Sequence, residues 1–347
     1  MDLNTYKLGE LAKIKYGKNQ AKVIDVNGKI PILGTGGLMG YANDYLYNKP
    51  SVLIGRKGSI KNIYYIKTPF WTVDTLFYTE INDDIVYPHY FYYALSLIDF
   101  DRYNEGTTIP SLRTETLNRI DIKIPAKSTQ LKILSVIEPI EEKIAINNSI
   151  NDNLEQQAFS LFDSMFSGEI IGNHTIGEHL TPKRGKNLLS KDAVNGSVPV
   201  VAGGLGPSTY HNVANTSAPV ITISASGANA GYVNLWHTPV WSSDSSFIDK
   251  SISESIYFWY SMLKKRQKEI FDSQTGSAQP HIYPQHIANM PIGNISDESI
   301  RKYNSLVEVL FNKIGSNNQE NDRLAKMRDS LLPKLMSGEI DVSGIKI

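Results

Sequence analysis

Two fragments of this chain have the acid–x–lysine spacing of metal-dependent nucleases, Asp121 with Lys123 and Glu141 with Lys143. That chemistry needs a second carboxylate to share the metal, and neither fragment has one close in sequence. The glycine string GTGGLMG (34–40) puts Met39 where G-x-G-x-x-G requires its third glycine, so it reads as a turn rather than a dinucleotide site. No G-x-x-x-x-G-K-[ST] phosphate loop and no H-E-x-x-H zinc motif occurs. His281 and His286, beside Pro280 and Pro284, are not read as metal ligands, and Asp74 and Asp244, beside Trp71 and Trp241, read as structural hydrogen-bonding positions. With no cysteine, disulfides, thiolate metal sites and thiol nucleophiles are excluded. The expectation is a chain with no catalytic, cofactor-binding or metal site of its own.

The chemistry that remains is recognition, and the elements that would position it follow from length and composition. At 347 residues the chain is long enough for two domains. It is 41% hydrophobic and 20% charged, ample for packed cores, which rules out disorder. Lys plus Arg and Asp plus Glu both number 35, so the basic excess of a free-standing nucleic-acid binder is missing. The N-terminal stretch lacks an apolar signal core and no run approaches a membrane span, which makes a cytoplasmic protein without membrane association the expectation.

An internal repeat organises the chain. Residues 143–170 align without a gap on 313–340, with 13 of 28 positions identical, where average composition would give about two. LGELAKIKYGK (8–18) pairs with IGEHLTPKRGK (176–186), SVLIGRKGS (51–59) stands opposite PVITISASGA (219–228), FWTVDTLF (70–77) opposite VWSSDSSF (240–247), and GTTIPSL (106–112) opposite GSAQPHI (276–282). Each copy opens as a Gly-, Pro- and Tyr-rich stretch with short β-branched runs and closes as a stretch of helical periodicity. The boundaries expected are a globule over 1–125, a helix over 126–171, a second globule over 172–294, and a second helix with its tail over 295–347. The fold class expected is α+β: a tandem repeat of a mixed α/β globule and a long helix, the two helices pairing as an antiparallel coiled coil.

That pairing rests on matched heptad seams. Ile137, Ile140, Ile144, Leu154, Leu161 and Met165 recur as Val307, Leu310, Ile314, Leu324, Leu331 and Leu335, and both seams are interrupted by asparagines, Asn147 and Asn151 against Asn317 and Asn321. A buried seam Asn weakens a coiled coil but fixes its register. Pro139 is expected to kink or break the first helix, so its straight part is taken to start there. From Pro139 to Phe166 is 28 residues, about 42 Å of helix against roughly 34–36 Å for one turn of B-DNA.

Where the copies differ is as informative as where they agree. Gly58/Gly227, Gly106/Gly276 and Pro110/Pro280 are kept while the polar residues between them change. A constant frame with variable tips suits two readers of different short base sequences, because side-chain donors and acceptors discriminate base edges while the scaffold only positions them. The alternative is that exposed duplicated loops have drifted. Candidate contacts in the first copy are Arg56, Lys57 and Lys61 in one loop and Thr107, Thr108, Ser111 and Arg113 in the other. Those in the second are Ser224, Ser226 and Asn229, then Ser277, Gln279 and His281. Gln279 could pair bidentately with adenine, and Arg56 or Arg113 with guanine. Lys15, Lys18, Lys183 and Lys186 recur in type and spacing, with Arg184 among them, and are candidates for phosphate; the alternative is solvated lysine pairs. Segment charges of +2 (1–125), −4 (126–171), +2 (172–294) and zero (295–347) carry little weight.

Taken in order, LGELAKIKYGK, VLIGRKGS, GTTIPSLR, IKIPAKSTQLKI and SLLPKLMSGEI, with the duplication of globule plus helix, resemble the specificity (S) subunits of Type I restriction-modification systems over essentially the whole chain. The resemblance implies that each globule is a target recognition domain reading one half of a split sequence in double-stranded DNA. It implies that the paired helices set the gap between the halves and bind two methyltransferase (M) subunits. It further implies that S-adenosylmethionine is used by those partners, and ATP and magnesium by a restriction (R) subunit, none of them by this chain. The sequence departs from the family in lacking the Pro-Pro and Glu-Gln pairs ahead of the helices, keeping Pro125 and Gln130 in the first copy and Pro291 in the second, and in being short. Two other functions compete with DNA recognition: a protein-binding scaffold with two globular arms on a coiled-coil rod, and an enzyme whose site is assembled from scattered residues.

Overall fold

The computed structural model describes residues 2–166, 168, 171–276 and 279–346. The chain forms two compact units, one of residues 1–143 with 323–347 and one of residues 144–322.

In unit 1, strands β1 (Asn4–Lys7) and β9 (Asp121–Ile124) pair antiparallel, closing the segment between them. A four-stranded sheet has the order β2 (Ala12–Tyr16), β8 (Leu76–Ile81), β5 (Ser51–Gly55), β6 (Ile63–Ile66), all neighbours antiparallel. A smaller sheet runs β4 (Gly37–Ala42), β3 (Ile30–Gly34), β7 (Trp71–Thr72), with β3 and β7 parallel. All five residues of β5, SVLIG, are buried; a short run of consecutive apolar residues is the signature of a strand covered on both faces. Its core partners come from α1 (Leu8–Leu11) and from α2 (Pro88–Ser96), whose Tyr90, Phe91, Tyr93 and Leu95 face inward, and from α3 (Thr114–Asn118).

Unit 2 has the same strand order. β10 (His174–Thr175) pairs with β18 (Pro291–Ile292). The larger sheet runs β11 (Lys183–Arg184), β17 (Ser245–Ile248), β14 (Val220–Ser224), β15 (Val233–Trp236). The smaller runs β13 (Pro207–His211), β12 (Val198–Val201), β16 (Trp241–Ser242), again with its last pair parallel. Its core is completed by α5 (Ile256–Lys265), α6 (Gln267–Asp272) and α7 (Pro284–Ala288).

Two long helices, α4 (Lys127–Phe166) and α8 (Asp297–Ser337), contribute segments to both units. Pro139 does not break α4: the helix begins at Lys127, one residue from the expected boundary, and passes through the proline. The carbonyl of Ser135, which loses its donor four residues on, belongs to an exposed residue that water can serve. The start of α4 is held by Gln130, which is fully buried. Its Nε2 donates to the carbonyls of Ile85 (3.0 Å) and Pro125 (3.0 Å), and its Oε1 accepts from the Tyr87 amide (3.0 Å). In unit 1, Ile133, Leu134 and Ile137 of α4 share a core with Leu332, Leu335 and Met336 of α8. In unit 2, Ala158, Phe162 and Phe166 share one with Tyr303, Val307 and Phe311.

Candidate nucleic-acid interface

At one end of the larger sheet of unit 1, the C-terminal ends of β2 and β5 meet the start of β8, since Tyr16 is opposite Phe77 and Gly55 opposite Leu76. The loop that leaves β5 is pinned there by backbone bonds from Arg56 (2.9 Å) and Lys57 (3.2 Å) to the Thr75 carbonyl. It is also tied to the second candidate loop: Gly58 donates to Pro110 (2.9 Å), Leu112 donates to Arg56 (2.9 Å), and Lys57 bridges Ser111. The second loop is closed on itself, with Asn104 Oδ1 accepting from the amides of Gly106 and Ser111, both at 2.9 Å. A Cβ at Gly106 would stand 1.9 Å from the Ile109 carbonyl oxygen, so only glycine fits. Thr107, Thr108 and Ile109 are left exposed at its tip, Ile109 at 61%.

The frame recurs in unit 2. Ala225 donates to the Asp244 carbonyl (3.1 Å), Gly227 to Pro280 (3.1 Å) and Ile282 to Ala225 (3.0 Å), while Ser226 bridges His281. Thr275 and His281 exchange backbone bonds of 3.0 and 2.8 Å. Gly276 has φ +95°, and a Cβ on it would lie 2.6 Å from the Gln279 carbonyl oxygen. Gln279 is exposed at the tip, and His281 stacks on Tyr283 with ring centroids 6.0 Å apart. Ser277 lies outside the described residues.

The remaining candidates divide by their surroundings. Lys18 and Lys186 are exposed, and their backbones are fixed alike: Trp71 Nε1 donates to the Lys18 carbonyl and Trp241 Nε1 to that of Lys186, both at 2.8 Å. Lys15 faces Glu80 (3.8 Å) and Lys183 donates to Ser251 Oγ (3.2 Å). Lys61 is paired with Asp101 (2.6 Å), and that hydrogen bond and charge raise its pKa. Arg113 Nε meets Glu105 at 3.1 Å. Asn229 is half-buried just beyond the loop after β14. Ser224 does not reach the surface: it is 3% exposed in β14. Strand alternation there is overridden by a covering layer, which a sequence pattern does not reveal.

The strand registers also correct the pairing of Asp74 with Asp244. Trp71 and Trp241 match across the units at an interval of 170, whereas Gly55/Leu76 and Ser224/Ser245 are equivalent pairs at 169. One residue more lies between β7 and β8 than between β16 and β17, so Asp244 stands where unit 1 has Thr75. Its carboxylate accepts from Arg184 Nη2 (2.6 Å) and from the Ser226 hydroxyl. In unit 1, Arg56 Nη1 donates to the backbone carbonyl of Asp74 (2.7 Å), and the guanidinium lies over the Tyr16 ring, 5.1 Å from its centroid. Sequence reading passed over Tyr16; the signal was available in its alignment opposite Arg184.

The seam asparagines lie within unit 2. Asn147 and Asn317 are 1% exposed. Asn147 Nδ2 donates to Glu320 (2.8 Å) and to Asn321 (2.9 Å), Asn151 Nδ2 to Asn318 (2.9 Å), Asn317 Nδ2 to Asn151 (2.7 Å), and Asn321 Nδ2 to Asn148 (2.8 Å). As one number rises the other falls, so the two segments run in opposite directions.

Among the described residues no group of three or more His, Asp or Glu side chains is placed to hold a metal, and no helix is long and apolar enough to cross a membrane.

Residues 1–156 match the family described as the Type I restriction modification DNA specificity domain. The specificity subunit of the MjaIX Type I restriction enzyme of Methanocaldococcus jannaschii is 26% identical over 344 residues, covering 86% of this chain and 79% of that one. That of the HindI enzyme of Haemophilus influenzae is 32% identical over 109 residues, 30% of this chain and 22% of that one. The crystal structure of a Type I restriction-modification S subunit from M. genitalium has the same fold, with a TM-score of 0.58 at 22% identity over 96% of both chains.

Proposed function

We propose that this chain, which is similar to Type I restriction-modification specificity subunits, is itself a specificity subunit of that family, a non-catalytic one whose two units each read one half of a bipartite target in double-stranded DNA. The observation that carries the reading is the pair of loops at the sheet end of each unit, held by the same backbone bonds and glycine closures but tipped with different side chains. Phosphates would be met by the exposed Lys18, Lys57 and Lys186, and bases by residues at the loop tips, Thr107, Thr108 and Gln279 among them.

The long helices act as an antiparallel coiled-coil spacer between the duplicated readers and dock two M subunits. The opposed asparagine ladder of unit 2 and the shared apolar core of α4 and α8 in unit 1 support the pairing. S-adenosylmethionine would be bound by the M subunits, and ATP and magnesium by an R subunit, in a cytoplasmic complex. Formal neutrality fits a subunit that leaves much phosphate neutralisation to its partners.

The test is the methylome of a host co-expressing this chain with its M subunit, read by single-molecule sequencing. A split motif with modified adenine in both halves, lost on deleting this chain, is expected. Gln279→Ala should relax one or a few bases of a single half. An assembled complex that modifies no split motif would sink the reading in favour of a protein scaffold, whose binding would show neither a DNA motif nor a linear fall with the logarithm of salt.

A further inference from the structure

Arg56 and Arg184 do not align in the duplicated sequence, yet the registers bring their guanidinium groups to the same corner of each larger sheet. Tyr16 and Arg184 occupy the same strand position, opposite the equivalent residues Phe77 and Ser246. Arg56 and Ala225 occupy the same loop position, since their amides bond the equivalent carbonyls of Thr75 and Asp244. Unit 1 therefore combines an aromatic residue on the outer strand with an arginine from the loop, and unit 2 an arginine on the outer strand with a small residue in the loop. In unit 1 the arginine reaches back over the position that the arginine of unit 2 occupies outright. Each unit thus has a guanidinium at that corner, supplied by the loop after β5 in unit 1 and by β11 in unit 2.

We propose that Arg56 and Arg184 are equivalents, each the guanine-reading residue of its own half-site, with Tyr16 and Asp244 as positioning residues. The proposal rests on the reading of the units as DNA readers. Both groups are locked: Arg56 by the Asp74 carbonyl and the Tyr16 face, Arg184 by Asp244, whose second oxygen is occupied by the Ser226 hydroxyl. A fixed guanidinium plane is what a bidentate contact with O6 and N7 of guanine requires. A phosphate contact needs no such fixing, and beside Asp244 a phosphate would meet like charge, whereas neutral base acceptors would not. Arg184 remains 42% exposed, and among the described residues its bond to Asp244 is made through Nη2, which leaves donors for a base. Arg113, the other arginine near the loops, aligns with Tyr283 and has no such counterpart.

The experiment compares methylomes of the full complex carrying wild-type chain, Arg56→Ala, Arg184→Ala, Asp244→Ala and Asp244→Asn. The wild-type motif should contain a guanine in each half. Arg56→Ala should make one of them degenerate and Arg184→Ala the other, with discrimination falling by roughly 5- to 150-fold at that base alone, the usual range for a good bidentate pair. Asp244→Ala should relax the same base as Arg184→Ala, and Asp244→Asn should largely restore it. A half-site without guanine would overturn the proposal. So would arginine variants that still assemble into the complex yet lower methylation uniformly with the motif intact, which is the behaviour of a phosphate contact. A wild-type complex with no split motif would reject the DNA-reading function itself, which separates that failure from the failure of the arginine assignment.

Discussion

Replacing Asn147 by alanine tests whether the asparagine ladder holds the helices of unit 2 together. The side chain is 1% exposed and its Nδ2 donates to a carboxylate, Glu320, at 2.8 Å and to an amide, Asn321, at 2.9 Å. A hydrogen bond to a charged group contributes about 1.5–3 kcal/mol and a neutral one about 1 kcal/mol. Glu320 and Asn321 are both partly exposed and regain water when the amide is removed, so a net loss of about 2–3 kcal/mol is expected. Hydrogen exchange read by mass spectrometry on peptides from 144–158 should show protection falling roughly 30- to 150-fold, at 1.4 kcal/mol per factor of ten. The control is Asn148→Ala: Asn148 is exposed and accepts one bond from Asn321 at 2.8 Å, so its loss should cost less than about 1 kcal/mol. Asn147→Ala and Asn321→Ala combined should cost less than their sum, because they share a bond. Equal effects of Asn147→Ala and Asn148→Ala, or strict additivity of the pair, would refute the view that the buried amide is what the ladder depends on.

Three further outcomes are expected. Burial lowers the His237 pKa to about 4, so unit 2 should hold its full stability above about pH 6.5, where unfolded histidine is neutral, and lose up to about 3 kcal/mol as pH falls towards 4; His237→Gln should flatten urea midpoints across that window. Gln130→Ala removes three bonds from a fully buried amide and should destabilise unit 1 by about 3 kcal/mol, visible as a lower calorimetric transition, while Ser128→Ala at an exposed position nearby leaves it unchanged within about 0.5 kcal/mol. Gly106→Ala drives a methyl group against the Ile109 carbonyl and should distort the tip, blocking recognition of one half-site while circular dichroism stays that of the wild type; a methylome unchanged in both halves would count against the tip as a reader.

The repeat made much of this legible in sequence, because two copies of one unit supply a comparison that a single chain lacks. Asn147 and Asn317 stand out as polar interruptions of matched apolar seams, and the framing glycines as points kept while their neighbours vary. What could not be read depends on long-range geometry. Ser224 reads like the polar residues of a loop but is buried at the end of β14. Pro139 reads as a kink or break, although the helix runs through it and Ser135, whose carbonyl loses its donor, is an exposed residue. Aligning Asp74 with Asp244 maximised identity and missed a one-residue difference between strands that only hydrogen-bond register exposes, and with it the exchange of arginines between Tyr16/Arg56 and Arg184/Ala225.

The matched bonds from Trp71 to the Lys18 carbonyl and from Trp241 to that of Lys186 make each unit its own optical sensor. Indole emission responds to the polarity and hydrogen bonding at Nε1, so any ligand that drew on either lysine and shifted its backbone would change the colour of that unit's light. Because Trp236 and Trp259 also emit from unit 2, the difference between the emission of the wild type and that of Trp71→Phe or Trp241→Phe would then let occupancy of each half be followed separately, without a dye and without altering a charge.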